Sequence, residues 1–135
     1  MIRSAAAPLF VLLVLIACAR SEEPIETTIC AIVEDPGAFD KKVVRVAATF
    51  QSDGVEHSSL MDPACSKTTV AITSGPSDVA AHSALTAAVF NGRPGTFGKE
   101  IRGVFIGRFT WQEGKLPSRR IDLVTASGLR VRSRE

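Results

Sequence analysis

Apolar and polar residues alternate over several stretches of the chain, as they do in β-strands with one buried face. The clearest stretch runs from Val43 to Gln51, where the apolar residues at positions 44, 46, 48 and 50 fall on one face. Shorter strands are predicted over residues 57–61 and 68–72, and Asp62-Pro63 separates them. These three segments predict the first half of a β-sheet.

A second long alternation covers residues 99–112. One face carries Ile101, Phe105, Phe109 and Trp111, with Gly103 and Gly107 between them, and the other carries Arg102, Val104, Ile106, Arg108 and Thr110. Glycines inside a strand often mark the bend at which a small barrel turns a corner. Residues 112–118 predict a hairpin loop, residues 120–125 a strand that pairs back, and Leu129 with Val131 a final short extension.

Helical spacing of apolar residues occurs in two segments. Thr27 or Thr28 is suited to cap a short helix that runs through Glu34 and ends at the turn residues 35–37. A longer helix is predicted over residues 78–90, with Ser77 as its N-cap. Its core-facing residues are expected to be Val79, Leu85, Ala88 and Val89.

The predicted order is therefore a short helix followed by β-β-β-α-β-β. Five strands with a helix between the third and the fourth is the order of the OB-fold, a small Greek-key barrel. We expect a mainly β (α+β) protein, with one five-stranded OB-like barrel over residues 27–135.

The first twenty residues have the pattern of an export signal. Arg3 precedes an uncharged run of sixteen residues, which falls short of the roughly 20 apolar residues that span a bilayer. Leu15-Ile16-Ala17-Cys18 resembles the lipobox of bacterial lipoproteins. The resemblance implies a signal peptide over residues 1–17, a lipid on Cys18, a tether over residues 18–26 and membrane attachment in the cell envelope. Because Ala17-Cys18-Ala19 also fits an ordinary cleavage site, a soluble secreted protein beginning at Arg20 is the alternative.

Charge excludes one class of partner. The 118 residues after position 17 are enough for one domain with its own core, and they carry 15 basic and 14 acidic residues. This balance lacks the basic face that nucleic-acid-binding domains usually present, so we expect no nucleic-acid partner. The alternating Arg130, Arg132 and Arg134 are interpreted as a solvated strand edge.

Two cysteines, Cys30 and Cys65, follow the export segment. An even number of cysteines in an exported chain predicts one disulfide. Two free thiols or a metal pair are the alternatives. Zinc is disfavoured because only His57 and His82 could add nitrogen ligands, and the spacing of about 35 residues does not match known zinc sites.

His57, next to Ser58 and Ser59, invites a catalytic interpretation. Neighbouring residues of a strand point to opposite faces, however, so they do not form a Ser–His pair. No G-x-S-x-G, H-E-x-x-H, P-loop or dinucleotide motif occurs. We therefore assign no catalytic residue, metal or cofactor, and expect a protein that is not an enzyme.

OB barrels often bind oligonucleotides or sugars on a strand face. Phe105, Phe109 and Trp111, together with Arg102 or Arg108, could form such a stacking surface. The alternation places the aromatic residues opposite the arginines, and this favours an aromatic core with a charged exterior.

Two local signatures carry a further resemblance, Ala38-Phe39-Asp40-Lys41-Lys42-Val43-Val44-Arg45-Val46 and Asp62-Pro63-Ala64-Cys65. They resemble a group of small, largely uncharacterised bacterial exported proteins and lipoproteins with OB-like domains, over roughly residues 27–131. The resemblance implies a fold and a compartment, and it brings no catalytic residues. In this architecture Cys30 lies near the start of the first strand, a position that favours a disulfide with Cys65.

Two functional hypotheses follow. The first is a non-enzymatic envelope lipoprotein whose barrel binds a protein or glycan partner at a membrane surface. The second is a soluble periplasmic hydrolase or metal-binding factor that uses His57 and nearby acidic residues.

Overall fold

The computed structural model describes residues 22–52, 57–90 and 100–132. Within these residues the strands are β1 (Ile25–Thr27), β2 (Val43–Ser52), β3 (Ser58–Met61), β4 (Val70–Ser74), β5 (Glu100–Trp111) and β6 (Arg119–Arg132). The helices are α1 (Ile29–Glu34), α2 (Pro36–Phe39) and α3 (Val79–Phe90), and a single 3-10 turn covers Pro63–Cys65.

Five of the strands close into a barrel. Strand β2 pairs antiparallel with both β3 and β5, β3 pairs antiparallel with β4, and β5 pairs antiparallel with β6. The parallel pairing of β4 with β6 completes the ring, and α3 connects β4 to β5. The mainly β, OB-like Greek-key barrel predicted from the sequence is confirmed.

The alternating apolar residues of β2, β5 and β6 fill the barrel. Phe105 and Phe109 of β5 are fully buried, and the Phe105 ring stacks on Phe50 with a centroid separation of 6.1 Å. Gly107 provides the close approach between strands. A Cβ atom added there would lie 2.3 Å from the Asp122 carbonyl oxygen on β6, so no larger residue fits without a shift of the backbone.

Helix α3 differs from the prediction at its first turn. Its buried residues are Ala81, Leu85 and Ala88, whereas the Val79 side chain is 80% exposed. The prediction that Val79 faces the core was wrong, because two residues correspond to about 200° of helix rotation and place Val79 away from Ala81. The cap is also one residue later than predicted, since the Asp78 carboxylate accepts the Ala81 amide hydrogen at 2.8 Å.

Strand β1 was not predicted. It overlaps the last two residues of the segment interpreted as a tether and pairs in parallel with Val44–Val46 of β2. The position beside this half of β2 is available because β3 pairs only with residues 49–52. The next residue, Thr28, caps α1 as predicted, with its hydroxyl oxygen accepting the Ala31 amide hydrogen at 3.0 Å.

Candidate functional site

The proposed lipidation site, Cys18, lies outside the described residues. The described chain begins at Glu22, only four positions later. The Glu22 carboxylate receives a hydrogen bond of 2.7 Å from the Arg108 guanidinium of β5. The N-terminal segment therefore contacts the barrel at Glu22, three residues before β1 begins.

Cys30 and Cys65 form a disulfide, as predicted. It joins α1 to the 3-10 turn that precedes β4, with the two Cα atoms 5.7 Å apart. The turn is positioned by Asp62, whose carboxylate accepts the Ala64 amide hydrogen at 2.9 Å. The bond therefore fixes α1 to the turn between β3 and β4.

The serines next to His57 lie in β3, directly after this exposed residue. The Ser58 hydroxyl donates to the Ser52 hydroxyl at 3.2 Å, across the β2–β3 ladder. Ser59 is opposite Gln51 of β2 and Ala71 of β4. Glu56, the nearest acidic residue in the sequence, lies outside the described residues.

His82 is the fourth residue of α3 and lies beside the loop that follows β4. A Cβ atom added at Gly75 would lie 2.6 Å from the His82 Nδ1 atom, so the His82 imidazole packs closely against the Gly75 backbone. Nearby in the fold, the Thr73 hydroxyl donates to the Asp122 carboxylate. Within residues 22–52, 57–90 and 100–132, no group of three or more His, Cys, Asp or Glu residues could hold a metal ion.

The aromatic residues of β5 belong to the interior. Phe105 and Phe109 are fully buried, which confirms the core interpretation for both. Trp111 is half-buried, and a Cβ atom added at Gly37 of α2 would meet its ring at 3.6 Å. The Trp111 amide donates to the Asp40 carboxylate at 2.9 Å, so the end of β5 is held against the α2 turn.

The outer face of β2, β5 and β6 carries the arginines, and Arg45, opposite Ile106, and Arg108 have carboxylate partners. The Arg45 Nε atom of β2 lies 3.5 Å from a carboxylate oxygen of Glu26 in β1. Arg108 of β5 binds Glu22 and also donates to the Lys41 carbonyl at 2.5 Å. Both carboxylates come from the N-terminal segment of this chain, which runs extended along the sheet.

At one end of the same face lie Arg102, Arg130 and Arg132, here called the arginine cluster. Arg102 of β5 is directly opposite Arg130 of β6, and Arg132 is opposite Glu100, two residues further along each strand. All three arginine side chains are exposed. Among the described residues, none of the three forms an ion pair or a side-chain hydrogen bond.

The centre of this outer face is more apolar than its two ends. Val104 and Ile106 of β5 lie there, half-buried, opposite Ser127 and Thr125 of β6. Val124, at the register shift in β6, is 45% exposed. An apolar centre bordered by arginines is typical of the composition of protein–protein contact surfaces.

The pairing of Arg102 with Arg130 could not be found from the sequence. Strand β6 shifts register against β5 twice, between the partners of Ile106 and Gly107 and between those of Arg102 and Val104. Each shift adds one residue to β6. Without them, the register of the hairpin end would place Gly128 opposite Arg102, and the two guanidinium groups would not face each other.

Comparisons with protein-family models, with curated proteins and with solved structures gave no match. The OB-like fold is therefore established by the strand pairings themselves. None of the helices in the described part of the chain is long and apolar enough to cross a membrane.

Proposed function

We propose that this protein is a non-enzymatic lipoprotein of the bacterial cell envelope, related to small exported proteins with OB-like domains. Its barrel serves as a binding module held at a membrane surface by a lipid on Cys18. The observation that carries the proposal is the position of Cys18, near the end of the uncharged run and at the last position of a lipobox-like sequence. Two or three acyl chains on one residue hold a protein on a bilayer without a transmembrane helix.

The Cys30–Cys65 disulfide supports an oxidising compartment, because structural disulfides persist outside the reducing cytosol. The attachment of Glu22 to Arg108 supports a short connection to the membrane. Cys18 precedes Glu22 by four residues, and four extended residues reach at most about 14 Å. A lipid on Cys18 would thus keep the Arg108 end of the barrel close to the headgroups.

The test is metabolic labelling of the full chain, with its own signal sequence, using an alkyne-bearing fatty acid in a bacterial host. We expect label on the wild-type protein and flotation with membrane vesicles. The Cys18→Ala variant is expected to lose both. The matched control, Cys30→Ala with Cys65→Ala, is expected to keep the label. An unlabelled wild-type protein, or a Cys18→Ala variant that still floats, would contradict the lipid anchor.

A further inference from the structure

We infer that the arginine cluster binds an extended acidic segment of a partner protein on the outer face of β5 and β6. The inference rests on the proposed binding function and names the chemistry of its partner. Arg102 and Arg130 are directly opposite each other, and such residues have Cβ atoms about 5 Å apart. Two guanidinium groups at this distance can converge on one carboxylate, which the planar fork of arginine recognises through paired hydrogen bonds.

The arrangement opposes folding stability, and this points to a ligand. Like charges directly opposite each other on an antiparallel pair are destabilising. A single exposed arginine is well solvated and needs no partner, but two opposed ones concentrate positive charge with no carboxylate between them. Arg132 lies on the same side of β6, because residues two apart on a strand share a face, and it is directly opposite Glu100 of β5. The opposed like charges are therefore those of Arg102 and Arg130.

The chain itself shows how such arginines are satisfied elsewhere on the face. Its N-terminal segment is acidic and extended, and it places Glu26 on Arg45 and Glu22 on Arg108. The same chemistry, supplied by another protein, would satisfy Arg102 and Arg130. In an extended segment with acidic residues at alternate positions, successive acidic residues are about 6.5–7 Å apart. Arg130 and Arg132, two residues apart on β6, have the same spacing.

The apolar centre of the face favours a protein partner over a glycan. Val104 and Ile106 adjoin the arginine cluster, and Val124 is exposed nearby. Apolar side chains of a partner can pack on these residues while its carboxylates bind the arginines. A uniformly charged polysaccharide would leave this apolar area in contact with its hydroxyl groups.

The experiment uses the purified full-length protein and a fluorescent peptide of alternating Glu and Thr residues, with a Gln–Thr peptide as the matched control. Fluorescence anisotropy gives the Kd. We expect the acidic peptide to bind the wild-type protein more tightly than the Gln–Thr peptide. Raising the ionic strength to 0.15 M, where the Debye length is about 8 Å, is expected to weaken this binding.

The decisive comparison is between matched neutralised variants. Arg102→Gln with Arg130→Gln is expected to weaken peptide binding by about tenfold or more, since charge-assisted hydrogen bonds are lost. Arg45→Gln, which removes a charge that already has a carboxylate partner, is expected to change Kd by less than about twofold. The near-ultraviolet spectrum of Trp111 checks that the variants are folded.

Three outcomes would overturn the inference. One is no binding of the acidic peptide, and another is equal weakening by the Arg45→Gln variant. The third is tighter binding of heparin than of the peptide, which would identify a polyanionic glycan as the ligand. Each leaves the fatty-acid labelling result unaffected, so a failure here is distinct from a failure of the lipid anchor.

Discussion

Arg102 and Arg130 are directly opposite each other on the β5–β6 ladder, where like charges are expected to destabilise the sheet. We predict that Arg102→Glu, which creates an opposite-charge pair, raises the free energy of unfolding by about 0.2–1 kcal/mol. Urea denaturation measures the change. The same variant is expected to lose affinity for the acidic peptide. A variant that is destabilised would show that the two guanidinium groups do not oppose each other in solution.

Gly107 sets the approach of β5 to β6. We predict that Gly107→Ala lowers the free energy of unfolding by about 1–3 kcal/mol, because a Cβ atom there overlaps the Asp122 carbonyl and the Ile121 side chain. Thermal unfolding measures the loss. Gly37→Ala is the matched control and is expected to be nearly neutral, since its added Cβ atom meets the Trp111 ring at an ordinary contact distance of 3.6 Å. An equal effect of both variants would contradict the close approach at Gly107.

At the scale of elements, the disulfide connects two short helical segments, α1 and the 3-10 turn that precedes β4. We predict that Cys30→Ala with Cys65→Ala lowers the free energy of unfolding by about 3–4 kcal/mol, because the loop that the bond closes spans 35 residues. Urea denaturation of the variant and of the reduced wild-type protein should give similar values. If the variant is as stable as the oxidised wild-type protein, the bond does not contribute to stability.

The elements that the sequence revealed best are those whose alternation is long. Strand β2 was predicted over residues 43–51 and extends to Ser52, and the predicted 99–112 strand is β5. Strand β1 has only three residues, and Ile25 and Glu26 are both exposed, so no alternation marks it. Of the two register shifts in β6, only the one between Ser127 and Arg130 contains a glycine, Gly128, whose φ is 61°. A single glycine does not fix the register, and for this reason the arginine cluster emerges only from the structure.

At the scale of the whole molecule, the chain's N-terminal segment and the arginine cluster lie at opposite ends of the sheet. Glu22 contacts Arg108, and Arg102 is six residues away along β5, a distance of about 20 Å. A lipid on Cys18 would therefore leave the arginine cluster directed away from the anchoring membrane and accessible to a partner in the surrounding compartment.

This geometry gives a prediction for the anchored protein. In proteoliposomes of zwitterionic lipid, we expect the acidic peptide to bind with a Kd within about twofold of that of the detergent-solubilised protein, because the headgroups do not cover Arg102 and Arg130. Titration with external peptide measures this, corrected for protein that faces the vesicle interior. Loss of binding on reconstitution would mean that the arginine cluster lies against the bilayer.

The pairing of β2 with β5, which closes the barrel, also limits the order in which the strands can pair during synthesis. During synthesis from the N-terminus, β2 emerges early. Residues 100–108, which pair with β2, emerge much later. Such non-local pairing slows folding and leaves strand edges exposed in the meantime. Strand β1 and the β2–β3 hairpin can form during this interval. The nascent chain would then protect part of β2 with its own N-terminal segment before β5 is available.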